Sequence, residues 1–87
     1  MVLQVYAYRN KAIMAYSNPF YDNKDPKDMG ITIARAIITN PQQMKDLKVC
    51  ELVHLGSFDD ESGRFESIEP VFIINCADYF KEDKQDA

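Results

Sequence analysis

The stretch "LGSFDDESGRFE", residues 55–66, predicts the chain reversal on which the rest of the fold depends. Its acidic and small centre separates two β-rich runs, which is typical of a hairpin. Asp59 and Asp60 can accept hydrogen bonds from their own downstream backbone, and Gly63 tolerates a positive φ. The spacing is not that of a calcium loop, because glycine is fifth counted from Asp59 rather than sixth and Pro70 is twelfth. The stretch therefore predicts a turn rather than a metal site.

Two strands are predicted beside this turn. Before it, "LKVCELVHL", residues 47–55, has apolar residues on both faces, as a central strand does. After it, "RFESI", residues 64–68, predicts the returning strand. The segment "PVFIINCADYF", residues 70–80, is either a last short strand or an apolar flap over a helix. We expect a single domain over residues 1–80, and a charged tail, "KEDKQDA", residues 81–87, that frays in solvent.

The N-terminal part predicts a second hairpin. "VLQVYAYR", residues 2–9, alternates with a period of two, and "KAIMAYS", residues 11–17, repeats that pattern. The two faces of the first strand are Leu3, Val5 and Ala7 against Gln4, Tyr6 and Tyr8. Arg9 and Asn10 supply the short turn between the strands. The segment "NPFYDNKDP", residues 18–26, is predicted to be a loop.

A helix is predicted from about Pro26 to Thr39. Asp25 suits the N-cap, Pro26 suits the first helical position, and the dipeptide Asn40-Pro41 ends the helix. Its apolar arc is wider than the roughly 100° that a helix needs to lie on one sheet. The arc contains Met29, Gly30, Ile33, Ala34, Ala36, Ile37 and Ile38. We expect the excess apolar surface of this helix to be covered by the C-terminal segment or by a second subunit. The same arc predicts a homodimer.

Together these elements predict an α+β fold. It consists of an antiparallel sheet of four to five strands with one helix packed on one face, in the order ββαββ plus a C-terminal segment. A chain of 87 residues suits one domain. Two cysteines and the lack of a charged-then-apolar leader indicate a reducing cytoplasm. The longest apolar run, Val71 to Ile74, is far shorter than the roughly 20 residues that cross a bilayer, so no membrane association is expected.

The charge is unevenly distributed along the chain. The net charge is −4, but residues 1–48 carry seven bases and four acids, whereas residues 49–87 carry three bases and ten acids. One interpretation is ordinary solvated charge. The other is a bipolar surface, whose first half can face nucleic acid while the whole favours pairing between copies or with a charged partner protein.

No catalytic constellation is evident. His54 is the only histidine, and Cys50 lies four residues before it on one strand, about 13 Å away at a rise of ~3.3 Å per residue, so the two cannot form a nucleophile pair. His54 with Cys76 is geometrically possible. Zinc-ligand spacing and a glycine-rich phosphate loop are both absent from the sequence. We therefore expect no enzyme activity, no cofactor and no metal.

The remaining candidate is a set of aromatic and basic residues in the first half of the chain. Single-stranded nucleic acid is bound by rings on which bases stack and by cations that follow the phosphates. The predicted nucleic-acid-binding residues are Tyr6, Tyr8, Arg9, Lys11, Tyr16, Phe20 and Arg35. The alternative interpretation is that these tyrosines only pack on a half-exposed strand.

The sequence also resembles a known family, over about residues 6 to 66. The matching positions are Tyr8, Lys11-Ala12, Tyr16, Pro19-Phe20, Arg35, Asn40-Pro41, Leu52, Gly56, Phe58-Asp59-Asp60 and Gly63. This pattern resembles that of the small nonstructural protein of the gokushoviruses, single-stranded DNA bacteriophages of the Microviridae. The block Gly-x-Phe-Asp-Asp at residues 56–60 is its most specific part. The family often has Asp where this chain has Arg9-Asn10, and a longer loop where this chain has "QQMKDLK", residues 42–48.

The resemblance implies a DNA-binding accessory protein, made in the host cytoplasm, that is linked to single-stranded genome synthesis or packaging. It implies no catalytic residues. Two hypotheses follow. The chain binds single-stranded DNA, or it is a small dimeric regulator that contacts the phage replication initiator, the capsid or a host factor through its acidic face. Exposed hairpin bases and tyrosines on one face, away from the acids of residues 59–69, favour the first hypothesis.

Overall fold

The computed structural model describes residues 1–81 and shows an α+β domain with one α-helix packed on a five-stranded antiparallel sheet. The strands are β1 (Val2–Asn10), β2 (Ala15–Tyr16), β3 (Phe20–Asp22), β4 (Cys50–Asp59) and β5 (Arg64–Asn75), and the helix is α1 (Pro26–Thr39). Two 3-10 helices, Lys45–Val49 and Cys76–Tyr79, complete the described chain. The sheet order is β2-β1-β4-β5, and β3 also pairs with β1. The predicted fold class is therefore confirmed. Within these residues, no helix has the length and apolar character that a membrane span needs.

Helix α1 has the predicted bounds because its end signals are local. The Asp25 carboxylate accepts a hydrogen bond from the backbone N–H of Asp28 at 2.9 Å, as an N-cap does. At the other end, the N–H of Asn40 donates to the carbonyl of Ala36 at 2.9 Å. The C-terminal 3-10 helix and the end of β5 both contact α1, so the chain itself covers part of the apolar arc.

The hairpin between β4 and β5 is also confirmed. The N–H of Gly63 donates to the carbonyl of Asp59 at 2.8 Å, and Gly63 has a φ of 73°. Strand β4 lies between β1 and β5, as predicted for a central strand. Its start is corrected, because residues 45–49 form a 3-10 helix and pairing begins at Cys50.

Strand β5 is longer than predicted. It continues through residues 70–75, and only residues 76–79 leave the sheet, so neither a separate strand nor a simple flap follows Pro70. The pairs His54 with Val71 and Gly56 with Ser67 leave three residues of β5 opposite one residue of β4. Pro70 lies in this bulge of an edge strand, where its missing N–H is tolerated. Apart from Lys81, the tail predicted to fray lies outside the described residues.

The N-terminal hairpin differs from the prediction in its turn. Strand β1 continues through Asn10, and the reversal occupies residues 11–14, where the Asn10 side chain accepts a hydrogen bond from the N–H of Ala12 at 2.9 Å. Met14 takes a φ of 56° there, and only two residues remain for β2. The predicted loop after β2 contains strand β3, which pairs with residues 4–6 of β1.

The core lies between α1 and one face of the sheet. Its buried side chains come from β1, β4, α1 and the C-terminal segment. They are Tyr6, Met29, Ile33, Ile37, Leu52, Cys76 and Phe80. Because Tyr6 belongs to this core, the tyrosine-bearing face of β1 is the face toward the helix.

Candidate functional site

Strand register divides the sheet into two faces. Residues that lie directly opposite each other on neighbouring strands point to the same face. Leu3, Val5, Ala7 and Arg9 alternate with the core-facing tyrosines of β1, so they and their strand partners form the face away from α1. We call this surface the open face.

The open face has a buried floor and exposed rings. Val5, Ala7 and Val53 are buried on it although α1 lies on the other side of the sheet. Four large aromatic side chains stand around that floor with much of their surface in solvent. They are Tyr16, Tyr21, Phe65 and Phe72, of which Phe65 is 61% and Phe72 57% exposed. Monomeric proteins expose few contiguous apolar surfaces of this kind, and such surfaces usually bind something.

Three aromatic rings pack against one another at the end of the open face nearest the β4–β5 turn. The Phe58 and Phe65 centroids are 4.6 Å apart, and Tyr21 lies 5.7 Å from Phe58 with the rings at 68°. Tilted and edge-on geometries at these distances are favourable for aromatic pairs. Two of the exposed rings, Tyr21 and Phe65, are therefore oriented by their neighbours before any ligand arrives.

Two cations lie at the opposite end of the open face. Arg9 Nη1 is 3.2 Å from Glu51 Oε2, and both side chains are partly buried. Arg9 Nη2 also donates to Met14 Sδ at 3.4 Å. Lys11 Nζ donates to Asn75 Oδ1 at 2.9 Å, which brings the ammonium to the rim of the face. One carboxylate thus compensates one of the two cations.

The acids at paired positions of the β4–β5 hairpin lie away from the open face. Asp59 pairs with Val2, and Glu66 pairs with Ser57, so both belong to the helix side. Asp60 is in the turn, where it accepts from the amino group of Met1 at 2.9 Å. Among the paired positions of residues 1–81, Glu51 is the one carboxylate on the open face.

Tyr6 is corrected as a candidate stacking residue. It is fully buried, and its hydroxyl donates to the carbonyl of Lys24 at 2.7 Å. Its ring lies 5.3 Å from that of His54 and 5.9 Å from that of Phe20. Burial, and then the charge of Asp25, raise the pKa of Tyr6 to about 12. No face of this ring is free for a base.

The other predicted residues separate into two groups. Tyr8 and Phe20 pack against the core with centroids 5.3 Å apart, and burial raises the pKa of Tyr8 to about 12. Arg35 is exposed on α1, far from the open face in the fold. Tyr16 pairs with Arg9 and so lies on the face opposite to Tyr8. Of the seven predicted residues, the open face and its rim bring together Arg9, Lys11 and Tyr16.

Sequence reasoning missed most of the rings on the open face. Phe58 and Phe65 pair directly across the turn and could have been found by counting outward from it. Phe72 pairs with Val53 beyond a register shift between β4 and β5, so its face cannot be obtained by counting from the turn. Tyr21 was assigned to a loop and lies instead in β3.

No family model, curated protein or solved structure matches this chain.

The thiols and the histidine have structural surroundings. His54 Nε2 is 2.8 Å from Gln4 Oε1, and Cys50 Sγ is 3.7 Å from the carbonyl of Asp46. Burial raises the pKa of Cys50, and it raises that of Cys76 to about 11. Both thiols are therefore protonated near neutral pH, which makes them poor nucleophiles. Within residues 1–81, no three His, Cys, Asp or Glu side chains gather as a metal site would require.

Proposed function

We propose that this chain is a non-enzymatic protein that binds single-stranded DNA on the open face of its sheet. One observation carries the proposal: exposed rings surround a buried floor, cations lie at one end, and the paired hairpin acids Asp59 and Glu66 lie on the helix side. Bases stack on such rings for about 1–3 kcal/mol each. Open antiparallel sheets with aromatic side chains are a known platform for single strands.

The biological setting of the proposal comes from the sequence resemblance. A gokushovirus-like accessory protein acts in the cytoplasm of the infected host, during synthesis or packaging of a single-stranded genome. Stacking on rings tolerates any base, so this activity requires no sequence-specific contact.

Ring removal tests the proposal directly. We expect Phe65→Ala and Phe72→Ala each to weaken binding of a labelled oligothymidylate, measured by fluorescence anisotropy, by about fivefold or more. Val71→Ala is the matched control, because Val71 is exposed on the same strand but pairs with His54 on the helix side. Equal losses in all three variants would contradict a binding site on the open face.

Salt provides a second test. Because few cations lie near the open face, affinity should fall only weakly with salt. The slope of log affinity against log salt concentration should correspond to only about two to three phosphate contacts. Affinity that responds neither to salt nor to the double change Arg9→Ala and Lys11→Ala would remove the proposal.

A second candidate function is favoured by the ion pair itself. Glu51 compensates Arg9, and the whole chain carries a net charge of −4, which suits a protein partner better than phosphates. In that case the same rings contact a phage replication protein, a capsid protein or a host factor. A photo-crosslinking residue at position 72, used in infected cells, separates the candidates: adducts with DNA support the first, and adducts with protein alone support the second.

A further inference from the structure

Helix α1 has two large apolar side chains that its own chain leaves in solvent. Ile31 is 44% and Ile38 55% exposed. With the exposed Lys27 and with Ala34, which is only 9% exposed, they follow a spacing of four, three and four residues, which keeps one side of a helix in line. These four residues form the α1 stripe. It borders a groove of about 370 Å³ whose far wall includes Ile73, Ile74 and Tyr79.

We propose that a second copy of this chain docks on the α1 stripe, with the two α1 helices antiparallel about a two-fold axis. The spacing is that of the contact positions in a coiled-coil seam. In this arrangement Ile31 lies level with Ala34 of the partner subunit, so a large side chain meets a small one. Ile38 lies level with Lys27 of the partner subunit, whose methylene stem can pack while its ammonium reaches water.

Charge complementarity identifies the partner as a second copy. Asp28 and Arg35 are both exposed and lie seven residues apart, so they share one edge of α1 beside the stripe. In antiparallel pairing, the position of Asp28 along the helix axis differs from that of Arg35 of the partner subunit by only about 3 Å. The two-fold axis produces this pair twice. Parallel pairing would instead place this edge of the two helices on opposite sides of the seam, so the Asp28–Arg35 pairs would be lost.

The interface is independent of the open face. Helix α1 packs on the opposite side of the sheet, so a dimer through the α1 stripe leaves the rings of both copies accessible. The dimer can therefore exist whether or not the chain binds DNA.

Sedimentation velocity over a wide concentration range tests the proposal. We expect a reversible monomer–dimer equilibrium in the wild-type chain. Ile38→Lys should weaken it by about tenfold or more, because the change places a charge in the seam. Ile13→Lys is the matched control, since Ile13 is 70% exposed in the β1–β2 turn, away from the stripe. A strictly monomeric wild-type chain, or dimers that survive Ile38→Lys, would overturn the proposal.

Reversing the charges of Asp28 and Arg35 gives a sharper test. Arg35→Glu and Asp28→Lys should each weaken the dimer, because each creates like charges across the two-fold axis. The double variant should recover most of the wild-type dimer constant, and circular dichroism checks that α1 remains folded in all three. Failure of the double variant to recover, with α1 intact, would show that these charges do not face each other. Dimers lost on Phe65→Lys but retained in the α1 variants would place the contact on the open face and overturn the proposal.

Discussion

At the scale of single residues, the Arg9–Glu51 pair controls the electrostatics of the open face. The two side chains extend from directly opposite positions of β1 and β4, and their 3.2 Å contact is partly buried. A partly buried pair is screened less by salt than an exposed one. On the proposed function, a nucleic acid would therefore share Arg9 with a carboxylate.

Glu51→Gln should strengthen oligothymidylate binding. The change removes the carboxylate and leaves Arg9 free to meet phosphate, which is worth about 1 kcal/mol, or roughly fivefold in Kd. Glu66→Gln removes the same charge from the helix side and serves as the control in the same anisotropy titration. If the two variants gain equally, the effect is one of net charge and the assignment of Arg9 to the site is wrong.

Buried titratable groups should make the fold sensitive to alkali. The folded state raises the pKa of Cys76 from 9.0 to about 11 and that of Tyr8 from 10.0 to about 12. The unfolded chain therefore releases these protons first, so stability is intact below pH 9 and falls as the pH rises from there through the folded pKa values.

Urea unfolding at about pH 8 and about pH 11 measures this loss. Tyr8→Phe should lose less stability between the two conditions than the wild-type chain, because it has one group fewer to deprotonate. Identical urea midpoints at both pH values in the wild-type chain would contradict the burial of these groups.

At the scale of elements, the β4–β5 hairpin depends on a glycine inside a strand. Gly56 has a φ of 147°, and a Cβ there would lie 2.0 Å from the backbone carbonyl oxygen of Glu66. Backbone cannot move aside as a side chain can. Gly63, in the turn, has a φ of 73° but open space around it.

Replacing these two glycines by alanine should lower the stability of the fold by different amounts. We expect Gly56→Ala to cost about 3 kcal/mol or more in the free energy of unfolding, through clash and strain together. Gly63→Ala should cost only about 1–2 kcal/mol, from left-handed backbone alone. Urea denaturation ranks the two, and a Gly63 variant as damaged as the Gly56 variant would indicate that the hairpin turn, not the strand, limits stability.

Local signals explain which elements the sequence predicts. The helix bounds follow from Asp25-Pro26 and Asn40-Pro41, which act within a few residues. The orientation of the two faces of β1 does not follow from local signals. A period of two shows that Tyr6 and Ala7 point in opposite directions, but it does not show which of them faces the helix. Here both faces bury side chains, so polarity gives no answer. Strand β3 was missed since its three residues show no periodicity.

The site was predicted less well than the fold for the same reason. A stacking surface consists of residues brought together by pairing between distant strands, and register shifts in β4 and β5 change which residues share a face. Arg9 and Tyr16 could be grouped because they belong to one hairpin. Phe65 and Phe72 could be placed beside them only once the register was known.

At the scale of the whole molecule, the elongated shape, 53 × 25 × 18 Å, leaves β5 as a long edge of the sheet. An unpaired edge is a template for adding strands from other molecules. Here the edge is interrupted by Pro70 in a bulge and carries Glu66 and Glu69, all features that discourage such pairing.

Pro70→Val should therefore increase aggregation. Valine restores an N–H to the edge and favours extended pairing, so we expect faster growth of light scattering on mild heating. Pro19→Val, at an exposed proline outside β5, is the control. Unchanged aggregation in the Pro70 variant would show that the charges alone protect the edge.

Strand β3 links the two sides of the sheet. Its neighbouring residues Phe20 and Tyr21 point in opposite directions, one ring toward Tyr6 and Tyr8 in the interior and the other toward Phe58 outside. A ligand that shifts the β3 backbone through the outer ring therefore also shifts the inner one. Ligand binding to the open face should therefore change the hydrogen exchange of β1 amides, including amides that no ligand atom contacts.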